Sequence, residues 1–150
     1  MRLSTLESKI LNIIQSDFPL VPQPFKILSN RLGIKEETLI QILKRLKDKG
    51  VIRNFAVGLN HKKLGFRSSL IGLKVSSKRI ESVAKNIIRY PEVTHCFLRR
   101  GDYNLWSVFI YSKKERFRQF LDKFAKRVGR ENVLNLPTKK KFKLSTRLKI

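Results

Sequence analysis

The apolar residues of this chain change period at Phe66, from the 3.6-residue repeat of helices to a mixture of helical and two-residue repeats. That switch sets two architectures end to end and limits the fold more than composition does. Before it, Ser4 and Glu7 have the spacing of a capping box, and Leu6, Ile10, Ile13 and Ile14 follow on one helical face. Phe18 to Pro24 holds three prolines and is expected to be a loop. A short helix is predicted from Phe25 to Leu32, stopped by Gly33. A third runs from Lys35 to Lys49, with Leu39, Ile42, Leu43 and Leu46 inward and Gly50 as its stop. Val51 to Leu59 alternates like a strand that opens a β-hairpin. Residues 1–65 are therefore expected to form a winged helix-turn-helix domain.

Beyond Phe66, Ser69 to Val75 reads as a strand with Ile71, Leu73 and Val75 on one side. Ile80, Val83, Ala84, Ile87 and Ile88 make a helical stripe ended by Pro91. Val93 to Arg100 and Tyr103 to Tyr111 are the next strands, Phe117, Phe120, Leu121, Phe124 and Val128 mark a second helix, and Lys141 to Leu148 is expected as the fourth strand. This βαββαβ order over residues 66–150 predicts an α+β, ferredoxin-like domain.

Charge narrows the function. The 150 residues carry 34 Lys and Arg against 11 Asp and Glu, a net +23, while 41% hydrophobic content with ten Phe is too much for a disordered basic tail. A negatively charged partner is expected. Residues 1–65 hold 12 basic and 5 acidic groups (+7), and residues 66–150 hold 22 and 6 (+16). The third helix opens Lys35-Glu36-Glu37, which sets two carboxylates where a recognition helix meets phosphates. DNA is thus not the expected partner. The basic residues between Lys113 and Arg127 fit an ordinary solvated helix face as well as a ligand. The single cysteine, Cys96, excludes a disulfide framework and a cysteine zinc site. Glu7 and Asp17 interrupt the amino-terminal apolar residues, unlike a signal peptide, and no apolar run approaches the ~18 residues of a membrane span. The expected compartment is the cytoplasm, with no membrane partner.

The stretch from Val93 to Trp106 carries most of the chemistry. With Gly101-Asp102 as a two-residue turn, Arg99 opposes Asn104, Phe97 opposes Trp106 and His95 opposes Val108, so these six share one face. Cys96, Leu98, Arg100, Tyr103 and Leu105 fall on the other. An imidazole, a guanidinium and an amide beside two aromatic rings suit a flat, anionic ligand. Each also has a plainer use: a lone strand histidine is most often structural, and Phe97 and Trp106 equally suit a core or a dimer interface. His61, the other histidine, lies near the domain junction, where a turn role is expected.

The layout resembles the Lrp/AsnC family, a helix-turn-helix joined to a βαββαβ ligand-binding domain, with Gly101-Asp102-Tyr103 at the place of that family's Gly-Asp-Tyr turn. Within the superfamily the chain is most similar to siroheme decarboxylase subunits. The resemblance is carried by the run from Leu11 to Leu20, Lys63-Leu64-Gly65-Phe66-Arg67-Ser68, Val93-Thr94-His95, Tyr103-Asn104-Leu105-Trp106, Leu136-Pro137-Thr138 and Phe142-Lys143-Leu144. It implies removal of the carboxyls of the C12 and C18 acetate arms of siroheme, giving 12,18-didecarboxysiroheme for haem or haem d1 synthesis. No cofactor is implied beyond the iron of the substrate.

In that reading Arg99 and Arg100 bind carboxylates, Asn104 adds an amide contact, and Phe97 and Trp106 flank the macrocycle. His95 or Tyr103 supplies a proton; the alternative for His95 is axial ligand to the substrate iron. Some subunits of the family carry a histidine just before the Tyr-Asn pair, where this chain has Gly101-Asp102. This implies a subunit with fewer catalytic groups, working in a heterodimer with a paralogous subunit or, failing that, as a homodimer. The runner-up is a DNA-binding regulator of Lrp/AsnC type that responds to a small ligand. RNA binding ranks third, because strand three lacks a glycine-aromatic signature.

Overall fold

Ser4 begins the first unit by satisfying a helix end. Its hydroxyl accepts the Glu7 N–H at 3.2 Å and its own N–H donates to the Glu7 carboxylate at 2.7 Å, so α1 (Thr5–Ser16) starts from the expected capping box. The computed structural model describes residues 2–143, 147, 148 and 150. α2 (Pro24–Leu32) has proline at its first position and ends at Gly33, whose φ of 65° a side chain would disfavour. α3 (Glu36–Asp48) turns Leu39, Ile42, Leu43 and Leu46 onto Ile10, Leu11 and Leu28. Arg45 of α3 reaches back to the Glu7 carboxylate at 2.9 Å. Glu7 is thereby held below the ordinary carboxylate range, first by the Ser4 backbone N–H, then by the Ser4 hydroxyl and Arg45.

The helix-turn-helix is present, but no wing forms among the described residues. Residues 53–60 run on without strand pairing. The segment that would return as a partner strand is spent on a tight turn: Leu64 N–H donates to Asn60 O at 3.3 Å and Phe66 N–H to His61 O at 2.9 Å, with Gly65 at φ 81°. The units divide accordingly. One comprises Met1–Gly58 with Lys143–Ile150, the other Leu59–Phe142, in place of the expected break at residue 66. Residues 59–65 go with the strand their turn leads into. The carboxy-terminal residues go with α1, because the Asn12 and Gln15 amides bond the backbone of Ile150 and Leu148 in both directions.

The second unit has the predicted βαββαβ order, with one strand elsewhere. It runs β1 (Arg67–Leu73), α4 (Ile80–Ile87), β2 (Val93–Leu98), β3 (Leu105–Tyr111), α5 (Lys114–Val128) and β4 (Val133–Pro137). The sheet order is β2-β3-β1-β4, antiparallel throughout. Of the expected fourth strand at 141–148, the described residues 141–143, 147 and 148 form no strand, and 144–146 lie outside the described residues. Val133 to Leu136 has the apolar content that the lysine-rich stretch lacks, and Pro137 is tolerated because β4 is an edge strand. Both helices cover one face, packing Val83, Ile87, Phe117, Phe120 and Phe124 against Ile71, Leu73, Leu105 and Phe109. The opposite face stays open, with Leu70 38%, Phe97 49% and Leu136 44% exposed.

Candidate functional site

The site is built on the β2–β3 hairpin. His95 pairs with Val108, Phe97 with Trp106 and Leu98 with Leu105, the register counted from the turn; the Arg99 N–H donates to Asn104 O at 2.7 Å. The register shifts between Val93, opposite Phe109, and His95, opposite Val108. Thr94 is thus the extra residue of a β-bulge. The bulge lets Val93 pack into the core while His95, two residues on, is exposed on the open face.

Past Leu98 and Leu105 the strict alternation ends. The chain bends through residues 100–103, with Gly101 at φ 125°, and brings Arg99, Arg100, Tyr103 and Trp106 together around an open depression of about 500 Å³. Arg100 and Tyr103, expected on the other face, therefore join Arg99 and Trp106, because face parity holds only while the strands last. Leu70 of β1 also lines the depression. Trp106 lies across the neighbouring strand over Gly72, where an added Cβ would stand 3.0 Å from the indole. Its ring N–H donates to Tyr103 O at 2.7 Å, and the two rings meet edge to face at 6.5 Å. The Tyr103 hydroxyl donates to Glu131 O at 3.3 Å. Leu70 and Gly72 are positions of this surface that sequence reasoning missed. Their signal was available, since both are out of phase with Ile71 and Leu73.

Phe97 extends this surface towards β2. The Arg99 guanidinium sits 5.7 Å from its ring centroid, and the His95 ring lies 5.8 Å away on its other flank. His95 Nδ1 is 2.9 Å from the Thr94 hydroxyl. His95 shares the face with the depression but does not line it. Asn104 does not line it either. Its amide donates to Val75 O at 2.7 Å and accepts from Val75 N–H at 3.0 Å, tying the turn end of the hairpin to the second residue past β1. Cys96 points to the core side, and burial pushes its thiol up. Among the described residues no three His, Cys, Asp or Glu side chains gather as a metal site, and no helix is long and apolar enough to cross a membrane.

Comparison with known proteins matches both units. Residues 7–53 match the siroheme decarboxylase NirDL-like helix-turn-helix domain, and residues 63–143 match the AsnC-like ligand-binding domain. The siroheme decarboxylase alpha subunit of Desulfovibrio desulfuricans is 34% identical over 142 residues, covering 95% of this chain and 82% of that protein. A solved structure of siroheme decarboxylase NirDL in co-complex with an iron-uroporphyrin III analogue superposes with a TM-score of 0.67 at 34% identity, over 88% of this chain and 44% of that one. Escherichia coli AsnC has a TM-score of 0.78 at 17% identity over 98% and 99% of the two chains, a likeness of fold. The chain combines the Lrp/AsnC-like fold with sequence kinship to decarboxylase subunits over nearly its full length, and it belongs to the siroheme decarboxylase family.

Proposed function

We propose that this chain is a siroheme decarboxylase subunit that holds the substrate at the β2–β3 hairpin. The observation that carries the reading is the joining of Arg99, Arg100, Tyr103 and Trp106 around one open depression on a sheet face of exposed apolar side chains. Guanidinium groups pair with carboxylates through two parallel N–H donors, and aromatic and aliphatic side chains cover the flat ring system. The depression takes one edge of the macrocycle, and the Phe97 side of the sheet extends under the rest. Asn104 acts by holding the hairpin to Val75.

When an acetate arm loses carbon dioxide, the carbon–carbon bond breaks and its electron pair stays on the methylene, delocalised into the macrocycle. That carbon then takes a proton and becomes a methyl. The C12 and C18 arms are the two treated this way, giving 12,18-didecarboxysiroheme. His95 is the proton donor of first choice, since imidazole suits proton transfer near neutral pH, and Tyr103 is the second. The competing role for His95 is ligand to the iron of the substrate. No further cofactor enters. The working form is a heterodimer with a paralogous subunit, in the cytoplasm, and the helix-turn-helix is not used on DNA, because Glu36 and Glu37 stand in the first turn of α3.

Anaerobic incubation with siroheme, alone and with a paralogous subunit, tests this by the masses of the products. Arg99→Gln with Arg100→Gln should raise KM about a hundredfold or more, the cost of losing two charge-assisted bonds of about 1.5–3 kcal/mol each. His95→Ala should lower kcat with the spectrum of bound siroheme unchanged if His95 donates the proton, and shift the absorption bands if it holds the iron. Unchanged turnover removes it from both roles. A protein that shifts DNA in moderate salt and binds no tetrapyrrole would overturn the proposal.

A further inference from the structure

At the other end of the same sheet, about 17 Å from Trp106 along β3 at ~3.3 Å per residue, lies a second depression of about 340 Å³. Four cationic side chains line it: Lys62, Arg67, Lys139 and Lys141. No carboxylate does, and among the described residues none of the four forms an ion pair. The chain holds them there by separate means. The Asn60–Phe66 turn, capped where Asn60 Oδ1 accepts the Lys63 N–H at 3.3 Å, presents His61 and Lys62. Arg67 opens β1. The Thr138 N–H donates to Ser68 O at 3.1 Å, which fixes the path of the chain just before Lys139. Two hydroxyls, Ser68 and Thr138, meet at 3.2 Å inside the cluster. Tyr111 supplies a buried wall, stacked on Phe117 at 4.3 Å.

We infer that this depression is an oxyanion-binding site distinct from the hairpin site, taking a carboxylate or phosphate group on a small molecule or on one arm of a larger one. Four unpaired cations around one hollow repel each other, and an anion relieves that repulsion while meeting ammonium, guanidinium and hydroxyl donors together. The hollow is at the low end of the size of small-molecule sites, which run from about 300 to 1,000 Å³. It therefore admits a small anion or a single carboxylate arm, and not a whole macrocycle. The inference does not rest on the decarboxylase reading.

The test separates a site from general positive charge by using three neighbouring lysines. Lys139 and Lys141 line the hollow, whereas Lys140 packs 4.9 Å from the Phe142 ring and does not. Lys139→Gln, Lys140→Gln and Lys141→Gln remove the same charge from exposed positions, and circular dichroism confirms that each folds. Calorimetric titration of the full chain at constant ionic strength uses inorganic phosphate in one arm and iron-uroporphyrin III in the other. Lys139→Gln and Lys141→Gln should weaken binding several-fold where Lys140→Gln leaves it unchanged. Selective weakening in the phosphate arm identifies a free small anion, and in the porphyrin arm a carboxylate arm of the tetrapyrrole. Equal effects of all three substitutions, or no effect in either arm, overturns the inference.

Discussion

Gly72 is occupied by its neighbour. Trp106 lies where a side chain at 72 would project, which keeps the indole flat on the sheet and its ring N–H on the Tyr103 carbonyl. Gly72→Leu should tilt the indole off the sheet. The expected result is a changed tryptophan emission and weaker siroheme binding, with the far-ultraviolet dichroism of the fold retained. Glu7 gives a prediction on pH. Its carboxyl is held below its ordinary value of 4.5, so its contribution to stability is complete above about pH 4.5 and is lost as pH falls through the lowered value. Glu7→Gln should therefore melt earlier than the parent near neutral pH, with the gap closing in acid; a constant gap would refute the assignment. Residue-level reading from sequence worked where counting sufficed, as for Phe97 opposite Trp106. It did not reveal the engagement of Asn104, because an amide beside a turn looks the same whether it meets a ligand or the Val75 backbone.

Elements were legible in proportion to their apolar pattern. α3, α4 and α5 declare themselves by stripes that the structure buries in the main, with Ile88, just past α4, left exposed, and α5 carries Phe117, Phe120 and Phe124. Phe120 meets Phe109 at 4.4 Å and Tyr90 at 5.0 Å. Phe120→Ala should cost about 3–5 kcal/mol in denaturant unfolding, as for other buried phenylalanines. β4 was misplaced because a five-residue edge strand ending in proline has little pattern to show, while the lysine run after it invites a strand by spacing alone. The wing failed for a related reason: a strand needs a partner, and residues 60–66 fold into a turn. The Thr94 bulge left no mark in the pattern, yet it decides that Val93 faces the core and His95 the open side.

At the scale of the molecule, the chain passes between its two units twice, once near residue 58 and again near residue 142. A cut in the exposed 53–58 stretch should consequently leave both fragments together on a sizing column, with Leu148 and Ile150 still bonded to Gln15 and Asn12. Substituting Asn12→Ala and Gln15→Ala should let the nicked protein come apart. The division of charge belongs to this scale too, since the larger share lies in the half that carries the hairpin depression and the second, lysine-lined one. The double passage also has a consequence for synthesis on the ribosome. Domains ordinarily complete themselves from the amino terminus forward. Here the helix-turn-helix emerges first, but the residues that bond to the exposed side of α1 emerge only after all of 59–142. The first unit to be made is thus the last to be finished, and the sheet that carries the site can be folded before it.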